Sequence, residues 1–169
     1  MQALINEIRA HWILEQCEGV LKTLAIYDNE EYVIVALEYQ AKGSLMQSLE
    51  DYKKFTEVEV RVIMEQLLLV LDFFQKKKIV HRDIKPDNIL ITVAAEGVIR
   101  LKFIDFADMT ILSLVAGWVR PPGTKEFMAP ERASQMMHAA EKTDIFSLGA
   151  TIMTMLYLNF PFGKGHGCL

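Results

Sequence analysis

A long uncharged run near the end of the chain limits most strongly what the chain can fold into. No charged residue occurs from Ile145 to Phe162, and this length is in the range of a membrane-spanning helix. Ser147, Thr151 and Asn159 interrupt the apolar character, and no aromatic and basic anchors flank the run. The pattern therefore favours a helix buried in a protein core, predicted over Ile145–Leu158, over a membrane span.

The composition fits one globular domain. The 169 residues are 51% hydrophobic and carry a net charge of −4, which argues against disorder and leaves no basic surface that would bind nucleic acid. Cys17 and Cys168 have no metal-ligand spacing and are expected to be reduced thiols. Such thiols are typical of an intracellular protein, and we expect a cytoplasmic location. The first residues have no leader pattern and already read as a helix without a cap, so the chain is expected to be truncated.

Periodicity and turn residues predict a mixed order of elements. A helix over about residues 3–15 is followed by two antiparallel strands, a short helix that starts at Ser44 and a long helix that starts at a Thr56-x-x-Glu59 capping box. The long helix should end near Lys76 and bury Val60, Ile63, Leu67, Val70, Leu71 and Phe74. The predicted strands are Val20–Ile26, Tyr32–Leu37, Ile79–Val80, Ile89–Thr92 and Ile99–Ile104.

Four polar motifs follow one another along the chain: His81-Arg82-Asp83-Ile84-Lys85-Pro86-Asp87-Asn88, Asp105-Phe106-Ala107, Gly123-Thr124-Lys125-Glu126-Phe127-Met128-Ala129-Pro130-Glu131 and Asp144-Ile145-Phe146-Ser147-Leu148-Gly149. Their identity, order and spacing resemble the catalytic domain of the protein kinase family, serine/threonine type. The chain departs from the family pattern at Ile84 (for Leu), Ala107 (for Gly), Phe127 (for Tyr) and Phe146 (for Trp). Alanine at position 107 has less access to positive φ than glycine.

The resemblance implies an α+β, bilobal fold that is incomplete. Residues 1–39 would be the remnant of a small lobe, residues 40–44 a hinge, and residues 45–169 an incomplete, mainly helical large lobe. A glycine-rich loop and an ATP-binding lysine should precede Glu7, and only six residues do. Without them the chain is expected to be inactive by itself. The later helices of the large lobe are also missing, so the chain should be truncated at both ends, and its uncovered apolar helix should make it poorly soluble. It would derive from an active kinase or act as a binding module.

The resemblance also assigns roles in phosphoryl transfer. Asp83 would accept or orient the hydroxyl of a protein substrate, Lys85 would compensate charge and indicate serine/threonine specificity, and Thr124 would shape the acceptor site. Asn88 and Asp105 would hold Mg²⁺ through oxygen atoms.

A second group of residues would bind the ATP itself. Leu37 would be the gatekeeper, the backbone of Glu38 and Gln40 would bond adenine, and Leu90 would pack beneath the ring. Glu7 would pair with the ATP-binding lysine, or it is a solvated helix charge. Because Arg120 occupies the usual phosphate-acceptor position of the activation segment, activity is expected not to depend on phosphorylation there, unless a nearby hydroxyl such as Thr110 or Ser113 serves instead.

Overall fold

The structure is a computed structural model, and it describes residues 2–29, 31–53, 55–93, 98–112, 123–133 and 140–161. Cys168, Arg120, Ser113 and Phe162, on which some of the expectations above depend, lie outside the described residues.

The first part of the chain contains one helix and one strand pair. Helix α1 (Gln2–Ile13) precedes β1 (Thr23–Asp28) and β2 (Val33–Leu37), which pair antiparallel. The strand predicted over Val20–Ile26 therefore begins three residues later than expected. Val20 instead forms a parallel bridge with Phe103, a pairing between distant parts of the chain that local periodicity does not report.

The next two helices begin where their capping residues predict. Helix α2 (Leu45–Tyr52) starts after Ser44, whose hydroxyl accepts a hydrogen bond from the Gln47 N–H. Helix α3 (Glu57–Lys76) starts after Thr56, and the Thr56 hydroxyl and the Glu59 carboxylate each accept the N–H of the other residue. This reciprocal pair is the predicted capping box, and it satisfies backbone donors that the first turn leaves without partners.

The core is centred on α3. The six side chains predicted for its inner face are all buried: Val60, Ile63, Leu67, Val70, Leu71 and Phe74. Burying a side chain of this size stabilises the fold by about 1.5–3 kcal/mol relative to leaving it exposed. Helix α3 packs against α5 (Ala140–Tyr157) and against the short strand β3 (Ile79–Val80), which together support the polar loop His81–Asn88.

Three further strands and a short helix complete the described part. Strands β4 (Ile89–Val93) and β5 (Ile99–Phe103) form an antiparallel hairpin, β3 pairs with β6 (Thr110–Ile111), and α4 spans Pro130–Ala133. Short antiparallel strand pairs and a mainly helical second half confirm the predicted α+β class.

The uncharged run is helical over only part of its length. Helix α5 begins five residues before the run and ends at Tyr157, so the predicted span Ile145–Leu158 starts too late. One face of the helix is buried, whereas Ile145 is 53% exposed and Met153 is 43% exposed. Among the described helices, none combines the length and the hydropathy that crossing a bilayer requires.

Candidate active site

The polar loop His81–Asn88 is fixed to α5 by one buried carboxylate. Asp144 accepts the His81 N–H at Oδ2 over 2.7 Å and the Arg82 N–H at Oδ1 over 2.9 Å. Burial raises the pKa of Asp144, while the electrostatic interaction with His81 and the two N–H donors act in the opposite direction. Two consecutive N–H groups held by one side chain fix the backbone direction just before Asp83.

His81 anchors the same loop in the aromatic core. It is fully buried, its ring centroid lies 4.8 Å from that of Phe106, and Phe74 and Phe103 pack around it. Its Nε2 lies 3.1 Å from the carbonyl oxygen of Ile104, the residue that precedes Asp105. His81 therefore ties the loop that carries Asp83 to the segment that carries Asp105.

Asp83, Thr124 and Lys85 form one hydrogen-bonded group. The Thr124 hydroxyl and the Thr124 N–H each donate to Asp83 Oδ1 over 2.8 Å. Lys85 Nζ donates to the Thr124 hydroxyl over 2.7 Å and lies 2.9 Å from Asp83 Oδ2. The structure thus brings together residues that are about 40 positions apart in sequence, as the sequence predicts.

The protonation state of Asp83 follows from these contacts. Burial alone would raise the pKa of Asp83, but the hydrogen bonds from Lys85 and Thr124 and the Lys85 charge hold it below its ordinary value. Asp83 is therefore a carboxylate at neutral pH, with oxygen atoms that accept protons or hydrogen bonds.

A glycine allows Thr124 to reach this position. Gly123 has φ of +113°, a conformation that L-residues rarely adopt, and a Cβ atom there would lie 2.7 Å from the Arg82 carbonyl oxygen. The Arg132 guanidinium also donates to this carbonyl over 2.8 Å. The segment before Thr124 therefore contacts the polar loop too closely for any side chain at position 123.

Asn88 is bound to Asp83 through its side-chain amide nitrogen. Its Nδ2 donates to the Asp83 carbonyl over 2.9 Å and to Asp83 Oδ2 over 3.0 Å. The backbone carbonyl of Asn88 accepts the Ile104 N–H over 3.0 Å. These bonds place Asn88 next to the segment that leads into Asp105.

Asp105 lies at the end of that segment in a left-handed conformation. Its φ is +62°, its side chain is exposed, and Phe106 beside it is fully buried against His81. Ala107 is not among the residues with positive φ. Alanine in place of glycine therefore introduces no backbone strain in this conformation.

The group fits a magnesium ion that brings further ligands. Asn88 Oδ1 and the Asp105 carboxylate are oxygen donors, which Mg²⁺ prefers. Within the described part of the chain, no cluster of three or more His, Cys, Asp and Glu residues could hold a metal by itself. Protein Mg²⁺ sites with one or two oxygen side chains take their remaining ligands from water and phosphate, which suits a nucleotide-bound ion.

Glu7 on α1 faces the same region. The Asn6 amide donates to the Ala107 carbonyl over 2.8 Å, and Glu7 Oε1 lies 3.3 Å from His11 Nε2. Glu7 Oε2 is buried, and within the described residues it has no hydrogen-bond partner. A buried acceptor without a partner fits a cation better than the solvated helix charge that was the alternative.

The four residues predicted to surround adenine lie along β2, the segment after it, and β4. Leu37 ends β2, Leu90 lies in β4, and both are partly accessible. The Glu38 N–H donates to the Lys22 carbonyl over 2.9 Å, so that its own carbonyl is the group left for a ligand. Gln40 is half-buried, and its carbonyl accepts the Gly43 N–H.

Two contacts, one beside Glu38 and one at the polar loop, were not predicted from the sequence. Lys102 pairs with the Glu38 carboxylate, and the buried Arg132 donates to the carbonyl of Arg82. The alternation of β5 places Lys102 opposite Leu101 and Phe103, which indicates only that it leaves the core face. Neither residue has a local sequence signal, because each acquires its partner through tertiary packing.

Comparison with known proteins shows which family the chain matches. The protein kinase domain family matches residues 1–168. The chain is 30% identical to mouse Aurora kinase B over 92% of this chain and 43% of that protein, and 29% identical to MAP kinase-activated protein kinase 2 of Drosophila melanogaster over 96% and 46%. It is 34% identical to the serine/threonine-protein kinase TIO of Arabidopsis thaliana over 85% of this chain and 10% of that protein. The chain therefore spans less than half the length of these relatives.

Proposed function

The chain belongs to the protein kinase domain family, and from that premise we propose that it forms part of a catalytic domain that transfers the γ-phosphate of ATP to serine and threonine hydroxyls of proteins. The observation that supports this proposal is the group formed by Asp83, Lys85 and Thr124, with hydrogen bonds of 2.7–2.8 Å centred on the threonine hydroxyl. Phosphoryl transfer depends on positioning and charge, which this group supplies.

Each member of the group has a distinct role in the proposal. Asp83 is ionised at neutral pH and accepts the proton of the substrate hydroxyl. Lys85, which is held beside Asp83, supplies positive charge to the transferred phosphoryl group. Thr124 keeps both side chains in place. Lys85 and the resemblance to serine/threonine kinases favour serine and threonine over tyrosine as acceptors.

The nucleotide and its metal would be held by the remaining residues. Asn88 and Asp105 would bind Mg²⁺, the Glu38 carbonyl and the Gln40 N–H would bond adenine, and Leu37 and Leu90 would enclose the ring. When bound, Mg²⁺ and ATP supply the phosphoryl group and the charge that neutralises its oxygens. The Glu7 carboxylate would form an ion pair with the ATP-binding lysine, which is not among the described residues.

The proposal extends to the arrangement of the whole domain. Residues 1–39 would belong to a small lobe, residues 40–44 to a hinge and residues 45–169 to a large lobe. Substrates would be cytoplasmic proteins. The net charge of −4 does not favour nucleic acid as a partner.

The test uses the whole protein in which this sequence occurs, with Mg²⁺, ATP and a generic protein substrate. Asp83→Ala should lower kcat by about 10²–10⁴-fold with little change in nucleotide affinity. Asp105→Ala should instead weaken the binding of Mg²⁺ and ADP measured by calorimetry. Asp72→Ala, in an exposed pair with Lys76, is the matched control and should change neither quantity. Near-normal turnover in Asp83→Ala would contradict the proposal.

The alternative, a binding module without catalysis, predicts a different result. In that case the wild-type protein would transfer no phosphate and bind no Mg²⁺ and ADP, and Asp83→Ala would leave partner binding unchanged. Transfer by the wild type that Asp83→Ala abolishes excludes this alternative.

A further inference from the structure

A partly buried ion pair connects the start of the predicted hinge segment (residues 40–44) to strand β5. Lys102 Nζ contacts Glu38 Oε1, and the side chains of Lys102 and Glu38 are only 12% and 24% exposed. Hydrogen bonds from Lys102 and from the Lys22 N–H hold the pKa of Glu38 below its ordinary value, against burial, which alone would raise it. Glu38 is therefore a carboxylate at neutral pH.

Lys22 forms a second connection between Glu38 and strand β5. The Lys22 N–H donates to Glu38 Oε1 over 2.8 Å, and the Lys22 carbonyl accepts the Glu38 N–H over 2.9 Å. The residues just before Lys22 run along β5, where Phe103 donates to the Gly19 carbonyl over 2.8 Å and accepts the Leu21 N–H over 3.1 Å. Glu38 is thus bound to β5 directly through Lys102 and indirectly through Lys22.

The far end of the hinge segment is bound to the same hairpin. The Ile91 N–H donates to the Gly43 carbonyl over 2.9 Å, and Ser44 forms an antiparallel bridge with Leu90. Leu90 is the cross-strand partner of Lys102 in the β4–β5 pair. Glu38, two residues before the hinge segment, and Gly43 and Ser44 at its end are therefore all attached to the hairpin close to the Leu90–Lys102 pair.

We propose that Lys102 is a positioning residue for the nucleotide, because its ion pair with Glu38 holds the hinge segment at a fixed distance from Leu90. This inference rests on the proposed function, in which the Glu38 carbonyl bonds adenine and Leu90 packs beneath it. Lys102 touches neither the substrate nor the reacting atoms. It acts on the spacing between the two surfaces that enclose the adenine ring.

The burial of the pair separates it from the exposed ion pairs of this chain. Lys76–Asp72 on α3 has side chains that are 72% and 55% exposed, where solvent screening leaves a pair with little effect. At Lys102 the surroundings exclude most water, and removal of the lysine leaves the Glu38 carboxylate poorly solvated. The same substitution at these two lysines should therefore have different consequences.

The experiment compares Lys102→Met, Lys102→Arg and Glu38→Gln with Lys76→Met as the matched control, in the whole protein that contains this sequence. Adenosine is the probe, because it lacks phosphates and reports on the adenine site alone. Lys102→Met and Glu38→Gln should weaken adenosine binding roughly tenfold by calorimetry, with an equal effect on ADP with Mg²⁺. Lys102→Arg should restore most of the affinity, and Lys76→Met should bind like the wild type.

Two further measurements distinguish positioning from general destabilisation. Lys102→Met should raise KM for ATP with little change in kcat, and amide exchange at Lys22 should accelerate. If Lys102→Met does not fold, Glu38→Gln serves, because its remaining amide oxygen still accepts the Lys22 N–H. Adenosine affinity within twofold of the wild type in the folded variants, or a loss seen only with ADP and Mg²⁺, overturns the inference.

The outcomes separate this inference from the proposed function. A wild type that binds adenosine but transfers no phosphate removes the proposed function, and the adenosine affinities of the variants still decide the role of Lys102. A wild type that transfers phosphate while Lys102→Met retains its adenosine affinity overturns the positioning role alone.

Discussion

Replacing Asp144 by alanine removes both acceptors that hold the start of the polar loop. The two N–H groups, of His81 and Arg82, would then lie without a partner in a site that water does not reach, because Asp144 is 4% exposed. Leaving a buried N–H without a partner costs about 1–3 kcal/mol, so leaving both should cost about 2–6 kcal/mol. Domains of this size are stable by about 5–15 kcal/mol, so the variant should be close to unfolding.

The magnitude can be checked through a graded series. Asp144→Asn keeps one acceptor oxygen and should lose roughly half as much as Asp144→Ala. Asp72→Ala in the exposed pair on α3 should change stability by less than about 0.5 kcal/mol. Urea unfolding followed by circular dichroism measures the three free energies, and the slope against urea should be unchanged if only the folded state is affected.

The free energy of unfolding of Asp144→Ala can contradict this reasoning. If Asp144→Ala unfolds within about 1 kcal/mol of the wild type at an unchanged slope, the two N–H bonds do not hold the loop.

Four other predictions concern the surroundings of Asp83. Gly123→Ala should lower kcat at least tenfold, because its Cβ would displace the Arg82 carbonyl and with it Thr124; unchanged turnover would contradict the close contact. Thr124→Ala should lower kcat and Thr124→Ser should retain most of it, since serine keeps the bridging hydroxyl. The depressed pKa of Asp83 gives stability that is present above its ordinary pKa of 3.8 and lost as pH falls below it. Urea unfolding should therefore show that the free energy of unfolding falls less between neutral pH and pH 3 in Thr124→Ala than in the wild type, because the variant lacks one cause of the depression. Ala107→Gly should change kcat less than about threefold, because alanine is unstrained here; a large rise would show that alanine limits the segment.

The sequence by itself predicted the features that depend on local signals. The capping residues located the starts of α2 and α3, and the spacing of apolar residues identified the buried face of α3, because both signals act within one or two helical turns. The four motifs, through their resemblance to the protein kinase family, singled out Asp83, Lys85 and Thr124 as site residues, and the structure brings these three side chains into hydrogen-bond contact. Local pattern placed the start of β1 three residues too early, because Val20 instead forms a bridge with the distant Phe103, and it placed the start of α5 five residues too late.

Only the tertiary structure decided the surroundings of Lys102 and Glu7. Lys102 leaves the core face of β5 and would be expected in solvent, yet the start of the hinge segment covers it and supplies the Glu38 carboxylate. Glu7 could be solvated or paired on sequence grounds, and one of its oxygens, Oε2, is buried in the folded chain. The physical reason is the same in both cases. Periodicity reports which face a residue occupies, whereas its partner and its burial depend on which distant segment covers that face.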